Sequence, residues 1–209
     1  SINSRKAEFS VIDVYGFNRK ELLKIKPGEI SAEAGRAAGD CIKTIIDLAV
    51  KNQIDATVTA PIHKKSLNMG GYNYPGHTEF YAALTNTKKY NMLLAHDKLR
   101  VIHVTTHVSL KEVCDLITEE RVFETIKLAD GACHLFGVTN PKIAVLGLNP
   151  HASDGGRFGD EEARIVRPAI EELRSIGIEC AGPLPPDTAF YFAAKGQYDV
   201  MIALYHDQG

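Results

Sequence analysis

Short runs of β-branched and aliphatic residues recur along this chain, and stretches of helical periodicity separate them. That alternation limits the fold more than any other feature. A strand, a helix and the next strand return the chain in parallel beside itself, which gives an α/β layer structure. The runs at 54–60, 91–95, 99–105, 142–146 and 199–204 are predicted strands. Helices are predicted over 31–52, 78–84, 110–117, 119–136 and 161–176, with a helical turn at 64–69. In the first helix Ala34, Ala38, Ile42, Ile45, Ile46 and Ala49 fall at helical spacing, Ser31 is placed to cap it, and Glu33 favours its dipole. The first thirty residues read as irregular, broken by Gly16, Pro27 and Gly28. The predicted class is α/β, with a largely parallel central sheet flanked by helices. The Pro-rich 182–186 segment is a candidate linker, with a possible subdomain switch near 182–188.

With 209 residues and 44% hydrophobic content, the chain can bury a substantial core. Lys and Arg number 24 against 26 Asp and Glu, and no basic stripe stands out, so nucleic acid is not an expected partner. The longest apolar runs, such as Ile45 to Val50, are too short to span a bilayer. Cys41, Cys114, Cys133 and Cys180 form no C-x-x-C pair and read as reduced thiols of a cytoplasmic protein.

The chemistry is expected where strands end. Strand 99–105 runs into His107, strand 142–146 into Asn149-Pro150-His151, and strand 199–204 into Tyr205-His206-Asp207-Gln208. Open α/β sheets bind ligands outside the carboxyl ends of their strands, so parallel neighbours would gather these residues at one mouth. Three imidazoles there are a candidate site for a divalent metal with open positions for substrate. Three separate, locally bonded loop histidines remain open as the alternative. Strand 54–60 leads to Lys64, which could hold an anion or relay a proton, and Asp187 follows Gly-Pro-Leu-Pro-Pro, suited to a positioned carboxylate or an ordinary turn. His77 and Thr78 enter a helix and could face a carboxylate or phosphate, or Thr78 could simply cap it. The glycine-rich 151–160 stretch is a candidate anion nest or a flexible turn, with Asp160 a candidate cap. Neither G-x-G-x-x-G nor a P-loop occurs, so a bound dinucleotide must be held in another way, and cofactor-binding residues stay unassigned.

Six motifs then stand in register: Ala60-Pro-Ile-His-Lys64, Pro75-Gly-His-Thr-Glu79, Thr105-Thr-His-Val-Ser-Leu110, Gly147-Leu-Asn-Pro-His151, Gly182-Pro-Leu-Pro-Pro-Asp-Thr188 and Tyr205-His-Asp-Gln-Gly209. Together they resemble the 4-hydroxythreonine-4-phosphate dehydrogenase family of pyridoxine biosynthesis. The resemblance implies an isocitrate/isopropylmalate-dehydrogenase-like fold and a homodimer with its site at the interface. It implies metal binding by His107, His151 and His206, with ligands from both subunits, and substrate binding by His77 and Thr78. The implied cofactors are NAD and one divalent metal, Zn, Co, Mn or Mg. The implied reaction is oxidation of a 4-phosphorylated hydroxy acid followed by decarboxylation, with Lys64 or Asp187 relaying protons.

Ser109 stands where the biosynthetic enzymes carry proline, and so resembles the paralogues acting on D-threonate or D-erythronate 4-phosphate. The family's opening motif and its C-terminal phosphate and NAD segment have no counterpart here. Residues 1–209 are therefore expected to be a partial dehydrogenase unit that alone binds neither NAD nor phosphate well. From the residues alone, a zinc hydrolase using Asp207 or Glu79 as base, or a non-catalytic module for small anions, are the competing readings.

Overall fold

A computed structural model describes Gly16, residues 19–97 and residues 99–209. The chain forms two units, one reaching Lys88 and the other running from Lys89 to Gly209. Much of the expected irregular opening lies outside the described residues; where described, it holds a 3-10 turn at Lys20–Lys24.

The first unit is helical, with α1 (Ala32–Val50), α2 (Lys64–Met69) and α3 (His77–Leu84). Ser31 caps α1 as expected, its hydroxyl accepting from the Ala34 N–H at 3.1 Å. Gly35, Gly39, Ile42 and Ile46 form the buried stripe of α1. Ile42 and Ile46 pack with Leu67 and Phe80 into the core of this unit. Gly35 permits α2 to lie against α1, because a Cβ there would stand 1.7 Å from the Ser66 carbonyl oxygen.

The predicted strand at 54–60 is not formed. That segment has no ladder partner among the described residues, and Val58 is 96% exposed. Apolar, β-branched composition favours a strand only where a neighbouring strand offers hydrogen bonds. Thr78 is not the cap of α3: Gly76 is, without a side-chain bond, and Thr78 lies in the first helical turn.

The second unit carries the sheet. Its elements are β1 (Leu93–His96), β2 (Leu99–His103), α4 (Leu110–Leu116), α5 (Glu119–Leu135), β3 (Ile143–Leu146), α6 (Arg167–Ser175), β4 (Cys180–Leu184), α7 (Pro186–Ala194) and β5 (Val200–Ala203). Strand order is β1-β2-β5-β3-β4. β2, β5, β3 and β4 run parallel, and β1 is an antiparallel edge. The observed class is therefore the predicted one.

Alternate side chains separate the two faces, as the pleat demands. Ile102, Ile143, Val145, Val200 and Ile202 face one cluster with Val113, Ile126, Ala129, Ile170 and Leu173 of α4, α5 and α6. Val101, Ala144, Leu146, Met201 and Ala203 face the other, where Ala189 and Ala193 of α7 pack. The central strands β3 and β5 are buried throughout, as expected for strands covered on both faces. The 182–188 segment, read as a candidate linker, lies inside this unit: it completes β4 and opens α7. Asp160 does not cap a helix through its side chain; its carboxylate lies 3.6 Å from Arg164, and a π-helical turn at Glu162–Val166 leads into α6.

Candidate active site

Four parallel strands end on one edge of the sheet, and each is followed by a residue singled out in the sequence. His107 follows β2, His206 follows β5, His151 follows β3, and Asp187 lies in the first turn of α7 after β4. The three histidines therefore trail three adjacent strands, the placement the sequence pattern requires. All three are exposed.

The loop after β2 is sewn onto the end of β5. Val104 N–H donates to the Ala203 carbonyl at 2.8 Å, and the Thr105 hydroxyl donates to the Leu204 carbonyl at 2.8 Å. This tie sets the rings of His107 and His206 6.5 Å apart, centroid to centroid. Two imidazoles on one zinc stand with centroids roughly 5 to 6 Å apart, given Zn–N bonds of about 2.0–2.1 Å and near-tetrahedral angles. The pair stands wider than that spacing and could share a divalent ion only if the two rings moved closer. The His151 ring lies instead against Phe158, at 4.9 Å. Among the described residues no three His, Cys, Asp or Glu side chains gather closely enough to complete a metal site within one chain.

His103 was not signalled by position after a strand, because it lies within β2. It is fully buried, and neither ring nitrogen has a partner among the described residues. Its ring stacks on His206 with centroids 5.5 Å apart and planes 14° from parallel. Burial, and then the neighbouring His206, push its pKa below the usual histidine value, so the ring packs as neutral imidazole.

The glycine-rich stretch after His151 is ordered by a side chain just before it. Asn149 Oδ1 accepts from the N–H groups of His151 and Ser153 at 3.0 and 3.3 Å, while its amide donates to the Phe158 carbonyl. Ala152, Ser153 and Asp154 all hold positive φ. The N–H groups of His151 and Ser153 are thus turned inward onto Asn149, so the anion-nest reading does not hold for them. Asp187 Oδ1 is likewise engaged locally, with the Thr188 N–H at 2.7 Å and the Thr188 hydroxyl at 3.1 Å.

The remaining candidates belong to the first unit. Lys64 opens α2 and is exposed; His63 before it caps that helix, its Nδ1 accepting from the Ser66 N–H at 3.3 Å. His77 opens α3 with a buried Nε2 that has no partner among the described residues, and Thr78 is half-buried beside it. An unpartnered buried imidazole nitrogen is costly unless a ligand or water meets it.

The sequence profile described as Pyridoxal phosphate biosynthetic protein PdxA matches residues 2–209. The chain belongs to the PdxA family. It is 48% identical over 199 residues to D-threonate 4-phosphate dehydrogenase of Pectobacterium atrosepticum, covering 95% of this chain and 61% of the relative. It is 46% identical over 185 residues to the D-threonate 4-phosphate dehydrogenase of Salmonella typhimurium, covering 88% and 57%. Its fold matches a crystal structure of 4-hydroxythreonine-4-phosphate dehydrogenase from Klebsiella pneumoniae with a TM-score of 0.87 at 45% identity, covering 91% of this chain and 57% of that one. A terephthalate 1,2-cis-dihydrodiol dehydrogenase from Burkholderia xenovorans matches with a TM-score of 0.69 at 30% identity, over 88% and 59%. The chain spans about three-fifths of these relatives' length.

Proposed function

We propose that the protein is an NAD-dependent, divalent-metal-assisted dehydrogenase of a 4-phosphorylated hydroxy acid, with D-threonate 4-phosphate as its substrate. The observation that carries this reading is the trailing of His107, His206 and His151 from three adjacent parallel strands in a chain of the PdxA family. The similarity to D-threonate 4-phosphate dehydrogenases favours this substrate, as does Ser109.

In the proposed reaction a secondary alcohol gives up hydride to NAD and a proton to a base, leaving a β-keto acid; loss of carbon dioxide leaves its bonding pair in an enolate, which takes up a proton to give the ketone. When bound, the cation polarises the substrate hydroxyl and lowers its pKa, and NAD takes the hydride. His107, His151 and His206 would hold the cation through their imidazole nitrogens. A homodimer with the site at its interface lets His151, which faces Phe158 within its own chain, serve an ion shared with a second copy. His77 and Thr78, at the start of α3, bind the acid end of the substrate. Lys64 and Asp187 are the proposed proton carriers, Asp187 from the same sheet edge as the histidines.

The test uses the full-length protein with added Zn, Co, Mn or Mg. NADH absorbance should rise with D-threonate 4-phosphate, and less with 4-hydroxythreonine 4-phosphate. Each of His107→Ala, His151→Ala and His206→Ala should lower bound metal by at least about tenfold in affinity and abolish most turnover. Metal content equal to wild type in all three variants defeats the metal reading; phosphate release without NADH defeats the dehydrogenase reading.

A further inference from the structure

Strand β3 leaves the sheet through the Gly147–Leu148 peptide group, and that group is gripped at both ends. Its carbonyl, on Gly147, accepts from the Gln208 side-chain amide at 2.7 Å. Its N–H, on Leu148, donates to Glu162 Oε1 at 2.8 Å. In a trans peptide these two groups point in opposite directions, so the two side chains hold the plane from opposite sides. Gln208 is itself fixed, because its Oε1 accepts from the Leu204 N–H at 2.7 Å. Glu162 is fully buried. Gly147 leaves no room for slack, since a Cβ there would stand 2.8 Å from Ala152 and 3.2 Å from Glu162 Oε1.

The two ends of this grip belong to the two histidine loops. Gln208 lies two residues after His206, in the 3-10 turn that follows β5. Gly147 and Leu148 lead into Asn149, which organises the His151 turn. A buried glutamate needs a reason to be retained, since burying a polar group is costly and its Oε2 has no partner among the described residues. Nothing in the proposed hydride transfer uses Glu162 directly.

We propose that Gln208 and Glu162 are positioning residues, a clamp on the Gly147–Leu148 peptide that holds the His151 loop on the sheet end of its own chain, so that His151 is presented to an ion shared with a second copy. The inference rests on the reading of these histidines as metal ligands. Buried residues behind a metal site set the direction and strain of its ligands, and their removal weakens metal binding without removing any ligand.

The test is metal affinity and ligand geometry in the full-length protein, read by chelator competition and by the visible spectrum of the Co(II) form. Gln208→Met keeps the length of the side chain and loses both hydrogen bonds. It should weaken Co(II) binding by about 10- to 100-fold and alter the Co(II) bands. Glu162→Met should do the same, whereas Glu162→Gln, which retains an acceptor for the Leu148 N–H, should stay within about threefold of wild type. Should Gln208→Met not fold, Gln208→Glu keeps the acceptor for Leu204 and loses only the donor to Gly147, with the same expected weakening. Affinity within twofold of wild type and unchanged bands in the Gln208 and Glu162→Met variants overturn the clamp and leave the metal reading intact. Absence of metal binding in the wild-type protein overturns both.

Discussion

Tyr72 shows how a single residue can make unit stability depend on pH. Its hydroxyl donates to Asp40, whose other oxygen takes Arg19. Burial, followed by the Asp40 hydrogen bond, raises the Tyr72 pKa to about 12. The folded pKa thus exceeds the unfolded value near 10. The sign follows: the stabilisation is fully present below pH of about 10 and is lost as pH rises toward about 12. The urea midpoint of the wild type should fall over that window, and Tyr72→Phe should flatten the fall while lowering the midpoint at neutral pH. Parallel pH profiles for the two proteins would show that Tyr72 does not control the loss. At this scale the sequence revealed the three loop histidines, because each follows a strand-like run. It hid Gln208 and Glu162, whose partners are backbone groups of Gly147 and Leu148, 61 and 14 residues away. It hid His103 for a related reason: only the packed sheet shows that His206 covers it.

Elements were legible where local signals agreed with long-range packing. α1 has a capping serine, helical periodicity and a buried stripe that coincide. Ser31→Ala should therefore cost about 1 kcal/mol in urea unfolding, and Ser31→Asn should recover most of it. An alanine variant as stable as wild type would mean that packing alone holds the end of α1. The segment at 54–60 carried strand composition without a strand neighbour, and composition could not reveal that lack. β4 erred in the opposite direction. Cys180-Ala-Gly-Pro-Leu184 holds a glycine and a proline, which argue against a central strand. Its place at the sheet edge, beside β3 alone, is what makes proline tolerable there. No reading of residues 180–184 by themselves could have supplied that position.

At the scale of the molecule, each unit builds its core from its own residues. Ile42, Ile46, Leu67 and Phe80 form one, while the clusters on the two sheet faces draw on residues from Val101 to Leu204. Cores that share no residue can open separately, and hydrogen exchange reports such units individually. Phe80 is fully buried and stacks on Tyr74 with ring centroids 4.2 Å apart, so Phe80→Ala should cost about 3–5 kcal/mol in its own core. Exchange measured by mass spectrometry should then rise across 32–84. The amides of β2, β3 and β5, which carry the proposed metal loops, should keep wild-type protection. Equal loss of protection in both units would show one cooperative molecule instead. If protection stays separate, the histidine edge and the Lys64, His77 and Thr78 group are carried by frames with independent stability.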